Sequence, residues 1–419
     1  MSQAKTIHLF EHQALKARKQ DDPDFEGFKF EHLEALEALL GSSDEETFPY
    51  YSLIHHGVKF RQYVGVICVG NLTIEVLPKT DDNDNEAKWQ SRLLHMLSRI
   101  YKLDVRTPTD APQERQANSP ILDLFINKFL NEVDQLLNRG LVKCYHKEEK
   151  NLKSLKGKLL IGKHVTTNYV HKERFYVRYT TYDQEHVLNR VLRQAISIIP
   201  RVTSNLTLRG RACSTLFNFP EVHEIAVNED LFKHIEYDRK TEDYREAIKI
   251  AQLLLLHFRP KNKSGNYDIL ALMFDMNKLW EEYVYLTLKK QCRKEKSDWD
   301  VLAQCPEHLW HDSGHIKYIK PDIVIKDNGK TYILDTKWKI PKSTPSDGDL
   351  HQLYAYLKRF QAEKVALVYP STSESTPIEG CFKDDGGDKS CDMVFLSFEE
   401  DSNKDIDTEP IIKWLQSLK

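Results

Sequence analysis

Asp322, Asp335 and Lys337 are three charged residues placed where a strand pattern would want apolar ones. They flank two apolar, β-branched runs, Ile323-Val324-Ile325 and Thr331-Tyr332-Ile333-Leu334, joined by Asn328-Gly329, the strongest short hairpin signal. A two-residue loop there pairs Asp327 with Lys330 and, further back along both arms, sets Asp322 opposite Asp335. Directly opposed side chains have Cβ atoms about 4.5–5.5 Å apart, a repulsive spacing for like charges on one face. Lys337 follows Asp335 by two residues and projects from the same face. Val324 and Ile333 continue that face, while Ile323, Ile325, Tyr332 and Leu334 fill the other, so the hairpin is expected inside a covered sheet. Two buried, opposed carboxylates are costly unless a cation lies between them. A hard divalent ion held by Asp322, Asp335 and the Thr336 carbonyl meets that need; Mg²⁺ suits an oxygen-only set, with Mn²⁺ as a substitute. Lys337 is then placed to orient or activate a water attacking a phosphodiester. A solvated hairpin with a cross-strand ion pair is the competing reading of these residues alone. Pro321 lacks a strand N–H and fits a bulge or strand start.

The elements that must position this set follow in order. Asp349 to Phe360 has Leu350, Leu353, Tyr354 and Leu357 at helical core spacings, and Val365 to Pro370 reads as a buried strand. Hairpin, helix and strand in this order, with the acids and lysine on the hairpin, resemble the PD-(D/E)xK nuclease core. Gln352-x-x-x-Tyr356 resembles the helix motif of its RecB-like branch. That resemblance implies that Gln352 and Tyr356 orient the site or the DNA backbone. It also implies that a glutamate from the core's first helix reaches the metal, for which Glu281 is the candidate; a plain solvent-facing glutamate is the other reading of that residue.

The chain has 419 residues, enough for two or three domains with their own cores, and a formal net charge of −3. No global basic field attracts nucleic acid, so DNA contact requires a local patch. The seven cysteines are scattered without a C-x-x-C, which points to free thiols in a reducing cytosol rather than a zinc ribbon or disulfide framework. No apolar run is long enough for a membrane span and residues 1–30 are charged throughout, so a cytoplasmic protein without membrane contact is expected.

Along the chain, a short strand is expected within residues 1–20 and a helix from Phe28 to Leu40. Short strands follow between Gly57 and Pro78, with a turn at Gly70-Asn71. Asp81 to Glu86 is an acidic loop entering a helix from 86 to 101, and Thr107 to Ser119 is a linker. Pro120 opens an amphipathic helix that ends at Gly140. Residues 141–180 interleave Lys143, Lys147, Lys150, Lys163, Arg174 and Arg178 with Tyr145, Tyr169, Tyr176 and Tyr179. Such a run either tracks a nucleic-acid backbone or forms a solvated β face. Helices are expected from Asp183 to Pro200, Thr241 to Phe258 and Ala271 to Gln291, the last with Phe274 in its core stripe. His311 and His315 are taken as surface residues of a loop-like stretch. A last strand spans Met393 to Phe398 and a last helix Ile411 to Leu418. The expected units are 1–145, 146–260 and 261–419. The fold class is α+β and α/β, with a β-rich amino-terminal domain, a helical middle segment and a carboxyl-terminal nuclease-like core on a mixed sheet.

Several pieces, weak singly, together resemble the McrC family of nuclease subunits in McrBC-type modification-dependent restriction systems. They are Glu75-Val76-Leu77-Pro78-Lys79, Leu93 to Leu97, Leu155-Lys156-Gly157-Lys158-Leu159, Asn189-Arg190-Val191-Leu192, Phe274 to Glu281, Pro321-Asp322, Asp335-Thr336-Lys337, Asp349 to Gln352 and Tyr369-Pro370. Trp280 stands where phenylalanine is expected, and the first 50 residues match little. The resemblance implies a DNA endonuclease whose amino-terminal part engages a hexameric McrB-like AAA+ GTPase and stimulates its GTP hydrolysis. No G-x-x-x-x-G-K-[ST] occurs, so nucleotide hydrolysis belongs to the partner. A non-catalytic activator of that partner and a free-standing RecB-like exonuclease are the alternatives. The absence of a cysteine cluster for iron–sulfur binding disfavours the second.

Overall fold

A computed structural model describes residues 5–17, 27–41, 49–79, 85–103, 119–261, 267–295, 299–312, 314–339, 344–371, 376–383, 387–398 and 404–416. The expected linker from 107 and most of the acidic loop at 81–86 lie outside them. The amino-terminal part runs β1 (Lys5–Phe10), β2 (Ala14–Lys16), α1 (Phe30–Gly41), β3 (Tyr51–Ile54), β4 (Gly57–Phe60), β5 (Tyr63–Val69), β6 (Leu72–Leu77) and α2 (Glu86–Tyr101). The middle runs α3 (Pro120–Arg139), β7 (Cys144–Leu152), β8 (Lys158–Leu159), α4 (Ile161–Thr167), β9 (Phe175–Asp183), α5 (Val187–Val202), α6 (Leu206–Asn218), α7 (Glu229–Lys233), α8 (Arg245–Leu256), β10 (Phe258–Arg259) and β11 (Ile269–Asp275).

A five-stranded sheet of order β1-β6-β5-β11-β10 carries the first half. Residues of β5 and β6 alternate between two cores. Ile67, Val69, Ile74 and Val76 face α1 and the small sheet β2-β4-β3, through Leu33, Leu36, Leu39, Val58 and Phe60. Val64, Val66 and Leu77 face the helical layer of α2, α3, α5 and α8. Burial on both sides is why these strands read as continuous apolar runs. Pro120 at the first turn, the Ser119 cap and Gly140 after the last turn bound α3 as expected.

Two expectations change at β11. Ile-Leu-Ala-Leu-Met-Phe was expected to open a helix at Ala271, but it pairs with β5 from Ile269↔Val69 to Asp275↔Tyr63. The helix begins only at Met276, capped by the Asp275 carboxylate accepting from the Asn277 N–H. A short unbroken apolar run fits a buried strand or a buried helix equally, and pairing with β5 decided it. The boundary expected at 260/261 also falls between β10 and β11, two paired strands, so both parts of the chain share this sheet.

The carboxyl-terminal part runs α9 (Met276–Lys294), β12 (Asp300–Ala303), β13 (Glu307–His311), β14 (Ile316–Ile319), β15 (Ile323–Asp327), β16 (Lys330–Thr336), α10 (Asp347–Arg359), β17 (Lys364–Ser371), β18 (Cys381–Phe382), β19 (Lys389–Ser397) and α11 (Glu409–Gln416). Its sheet has the order β12-β15-β16-β17-β19-β18, with β16, β17 and β19 mutually parallel and the rest antiparallel. One face joins the core that holds α9 and α2; the other packs on α10 through Ile333, Val365 and Leu367. His311 and His315 are exposed as expected, but around the β13–β14 hairpin rather than in a loop.

Gly65 sits at φ +137°, where an added Cβ would lie 2.1 Å from the Leu272 carbonyl oxygen on β11. Gly65→Ala is expected to destabilise the protein by about 2–4 kcal/mol, through backbone strain plus that clash. Gly329→Ala, also at positive φ but facing open space, should cost only about 1 kcal/mol. Urea unfolding midpoints compare the two, and equal losses would refute the close approach of β5 and β11.

Candidate active site

The hairpin forms as its turn dictates. Asn328 and Gly329 both take positive φ (47° and 85°), and the ladder runs from Asp327↔Lys330 to Ile323↔Leu334. Asp322 lies one residue beyond the last pair, facing Asp335. Its Oδ2 accepts from the Thr336 N–H at 2.7 Å and from the Thr336 hydroxyl at 2.8 Å. Thr336 therefore holds Asp322 through two donors, a contact its expected carbonyl role did not include. Asp335 is 1% exposed. Lys337 Nζ approaches Asp335 Oδ2 at 2.6 Å and Asp349 Oδ1 at 3.7 Å.

Helix α10 lies across this pair, started by Ser346, whose side chain accepts from the Asp349 N–H. Residues four apart share a helix face, and Gln352 and Tyr356 form a relay on it. Lys337 Nζ donates to Gln352 Oε1 at 3.2 Å, Gln352 Nε2 to the Tyr356 hydroxyl at 2.7 Å, and that hydroxyl to the Lys320 carbonyl at 3.0 Å. The helix thus grips both arms of the hairpin, one at Lys337 and the other just before Asp322. Glu281 projects from α9, where the Gln304 side chain donates to its Oε1 and the Gln304 N–H donates to the Asp322 carbonyl. Gln304 thus links Glu281 to the backbone of Asp322.

The electrostatics follow from burial and like charge. Burial raises the Asp335 carboxyl to about 6, with Asp322 opposite adding to it and Lys337 opposing it. Burial raises Asp322 as well, against the donors from Thr336. Glu281 is pushed up to about 7 by burial and then by Asp322. For Lys337, burial favours the neutral amine, but the attraction of Asp335 and Asp349 wins and keeps its pKa above that of a free lysine. Three oxygen-donor side chains that resist ionising together are what a hard cation would relieve, so Asp322, Asp335 and Glu281 fit Mg²⁺ or Mn²⁺ by donor chemistry.

Two residues of the site had no sequence signal. Gln304 lies in the turn after β12, at φ 49°, and reaches Glu281 only because β12 pairs with β15. Asp349, noted only as part of its helix, takes Lys339 Nζ at 2.6 Å beside its approach to Lys337.

Elsewhere, Lys163 and Arg178 pair with Glu149, and Lys150 pairs with Glu148, so these members of the basic run form a solvated, ion-paired β face. Among the described residues, only His146, Glu148 and Asp183 bring three ligand-type atoms all within 4.8 Å of one another. His146 presents Nδ1 to Asp183 and Nε2 to Glu148, each at 3.4 Å, so the ring bridges two acids. Asp322, Asp335 and Glu281 stand wider apart than that set. No helix among the described residues is long and apolar enough to cross a membrane.

Fold and site together define a mixed α+β protein whose carboxyl-terminal sheet carries a buried acidic centre with one lysine. Residues 58–370 match the family described as McrBC 5-methylcytosine restriction system component, and the chain belongs to that family. The fold is similar to that of a chain in the refined half-complex from the tetradecameric assembly of Thermococcus gammatolerans McrB AAA+ hexamers with bound McrC. The TM-score is 0.67 at 20% identity, covering 99% of this chain and 100% of that one. A chain in the cryo-EM structure of the Thermococcus gammatolerans McrBC complex matches at 21% identity and TM-score 0.47, over 68% and 88% of the two chains. A comparison with curated proteins finds no match.

Because Asp335 and Glu281 titrate above their unfolded values, the metal-free fold is favoured while they are protonated. That contribution is full below about pH 4 and lost as pH rises through about 6 to 7. Metal-free protein should melt at a lower temperature at pH 8 than at pH 5, by about 1 °C per kcal/mol for a chain of this length. Mg²⁺ should restore more at pH 8 than at pH 5, and Asp335→Asn should flatten both trends. Melting curves that are indifferent to Mg²⁺ at pH 8 would count against the cation site.

Proposed function

We propose that this chain is the DNA endonuclease subunit of a McrBC-like restriction complex, with a PD-(D/E)xK-type site that hydrolyses phosphodiester bonds in a metal-dependent reaction. The observation that carries the reading is Asp322 facing a buried Asp335, with Lys337 Nζ 2.6 Å from Asp335. A structural ion pair needs one carboxylate; a second opposite it adds only repulsion. Asp322, Asp335 and Glu281 would hold Mg²⁺, which when bound supplies Lewis-acid stabilisation of charge on the phosphate.

Lys337 remains an ammonium at neutral pH, so it acts as a donor that orients the attacking water and meets negative charge on the phosphate oxygens. It does not act as a base. Gln352 accepts a second hydrogen bond from the Lys337 ammonium beside Asp335 and so fixes its direction, and Tyr356, through Lys320, holds the Asp322 arm in register. Thr336 fixes the Asp322 carboxylate, leaving its second oxygen for the cation.

The Thermococcus relative comes from an assembly of McrB AAA+ hexamers with bound McrC. By that likeness we place an AAA+ hexamer as this chain's partner, with GTP hydrolysis in the partner stimulated by the amino-terminal part. The ion pairing on β7 and β9 and the near-neutral charge favour delivery to DNA by that partner over autonomous capture.

Plasmid cleavage with Mg²⁺, a co-expressed AAA+ partner and GTP tests the reading. Asp335→Ala should lower cleavage by about 10³-fold or more, and Lys337→Ala by about 10²-fold, with partner GTP hydrolysis still stimulated in both. Unchanged cleavage in Asp335→Ala would refute the site. Stimulated hydrolysis without cleavage by the wild type would make the chain an activator only. Trimming of DNA ends without the partner would make it an exonuclease.

A further inference from the structure

Among the buried acids outside the set just described, one reaches toward it. Glu11 follows β1 and is 6% exposed. Its backbone N–H donates to the Leu77 carbonyl at 2.9 Å, and its Oε1 accepts the Lys79 N–H at 3.0 Å, so it is clamped to the end of β6. The same oxygen accepts the indole N–H of Trp338 at 2.7 Å, across 327 residues of chain. Trp338 is the residue after Lys337. Beyond the end of β16 the Lys337 N–H still donates to the Val368 carbonyl at 2.9 Å, and in backbone extended in this way neighbouring side chains point to opposite sides. Holding the Trp338 ring on one side therefore fixes how the Lys337 side chain leaves on the other.

The ring is held on its flanks as well. Its centroid lies 5.4 Å from that of Trp280, the residue before Glu281, and 6.4 Å from those of Trp89 and Phe398. These ring contacts confine Trp338 but give its indole N–H no partner of their own. A charge-assisted hydrogen bond to a carboxylate selects one orientation. Burying a carboxyl here is costly, and burial raises its pKa. An apolar residue would serve mere contact at lower cost.

We propose that Glu11 is a positioning residue for cleavage: by its hydrogen bond to the Trp338 indole, the amino-terminal sheet sets the placement of Lys337. This rests on the nuclease reading above. Glu11→Gln keeps an acceptor, Glu11→Leu removes it, and Trp338→Phe keeps the ring but removes the donor. In the assembled complex, Glu11→Leu and Trp338→Phe should each lower kcat about tenfold, with KM for DNA and partner GTP hydrolysis unchanged. Glu11→Gln should stay within about twofold of wild type. The Glu11→Leu/Trp338→Phe double variant should be no slower than the slower single one, because both cut the same link.

The indole N–H resonance of Trp338, identified by its loss in Trp338→Phe, should shift in Glu11→Leu and hold in Glu11→Gln, independent of activity. Wild-type kcat in a folded Glu11→Leu variant, or losses that multiply in the double variant, would overturn the proposal while leaving the nuclease reading standing. Equal loss in Glu11→Gln and Glu11→Leu, tracking melting temperature, would reduce the contact to a structural one. A wild type that cuts nothing overturns both readings, and the resonance then reports only whether the contact exists.

Discussion

Two carboxylates held face to face in a covered sheet create the tension around which the carboxyl-terminal half is arranged. The two-residue turn at Asn328-Gly329 sets Asp322 opposite Asp335; the pairing of β16 with β17 fixes Asp335, and the Thr336 donors fix Asp322 just beyond the end of the hairpin ladder. Around them the protein spends its donors: the Thr336 N–H and hydroxyl on Asp322, and the Lys337 ammonium on Asp335. Even so, Asp335 and Glu281 remain reluctant to ionise. That remaining deficit of positive charge is the ground on which the metal site and the phosphodiester substrate are proposed.

The amino-terminal half is not a passive attachment. Strand β11 is sequentially close to the site, since it leads into α9 and Glu281, yet it is the fourth strand of the first sheet. Helix α9 then joins a core that includes residues of α2 and of β15 and β16. Trp89, Trp280, Trp338 and Phe398 meet within that core, two of them next to site residues in sequence. Interiors packed to crystal-like density transmit displacement rather than absorb it. The first sheet and the backbone at Glu281 and Lys337 are thus packed into one core.

Much of the site was legible because its signals are local. The turn residues set register, alternation set faces, and the Gln352–Tyr356 spacing set one side of α10. One misreading and one choice left open share a cause. Ile269 to Phe274 is apolar at every position, so no period distinguishes strand from helix until β5 is present to pair with it. The basic, aromatic stretch from 141 looked equally suited to nucleic acid or to solvent. The register of β7 on β9 and the packing of α4 engage three of its cations, Lys150, Lys163 and Arg178, with Glu148 and Glu149.

By itself the sequence determined that Asp322, Asp335 and Lys337 share one face of a hairpin, because a two-residue turn leaves a single register. It also determined where α3 starts and ends, because Pro120 and Gly140 act within one helical turn. Only the tertiary structure decided that Gln304 would meet Glu281, that Glu11 would reach Trp338, and that β10 and β11 would pair across the expected 260/261 boundary. Those contacts depend on which apolar faces bury against which. That choice is made by the summed packing of the whole chain, and no short stretch of residues encodes it.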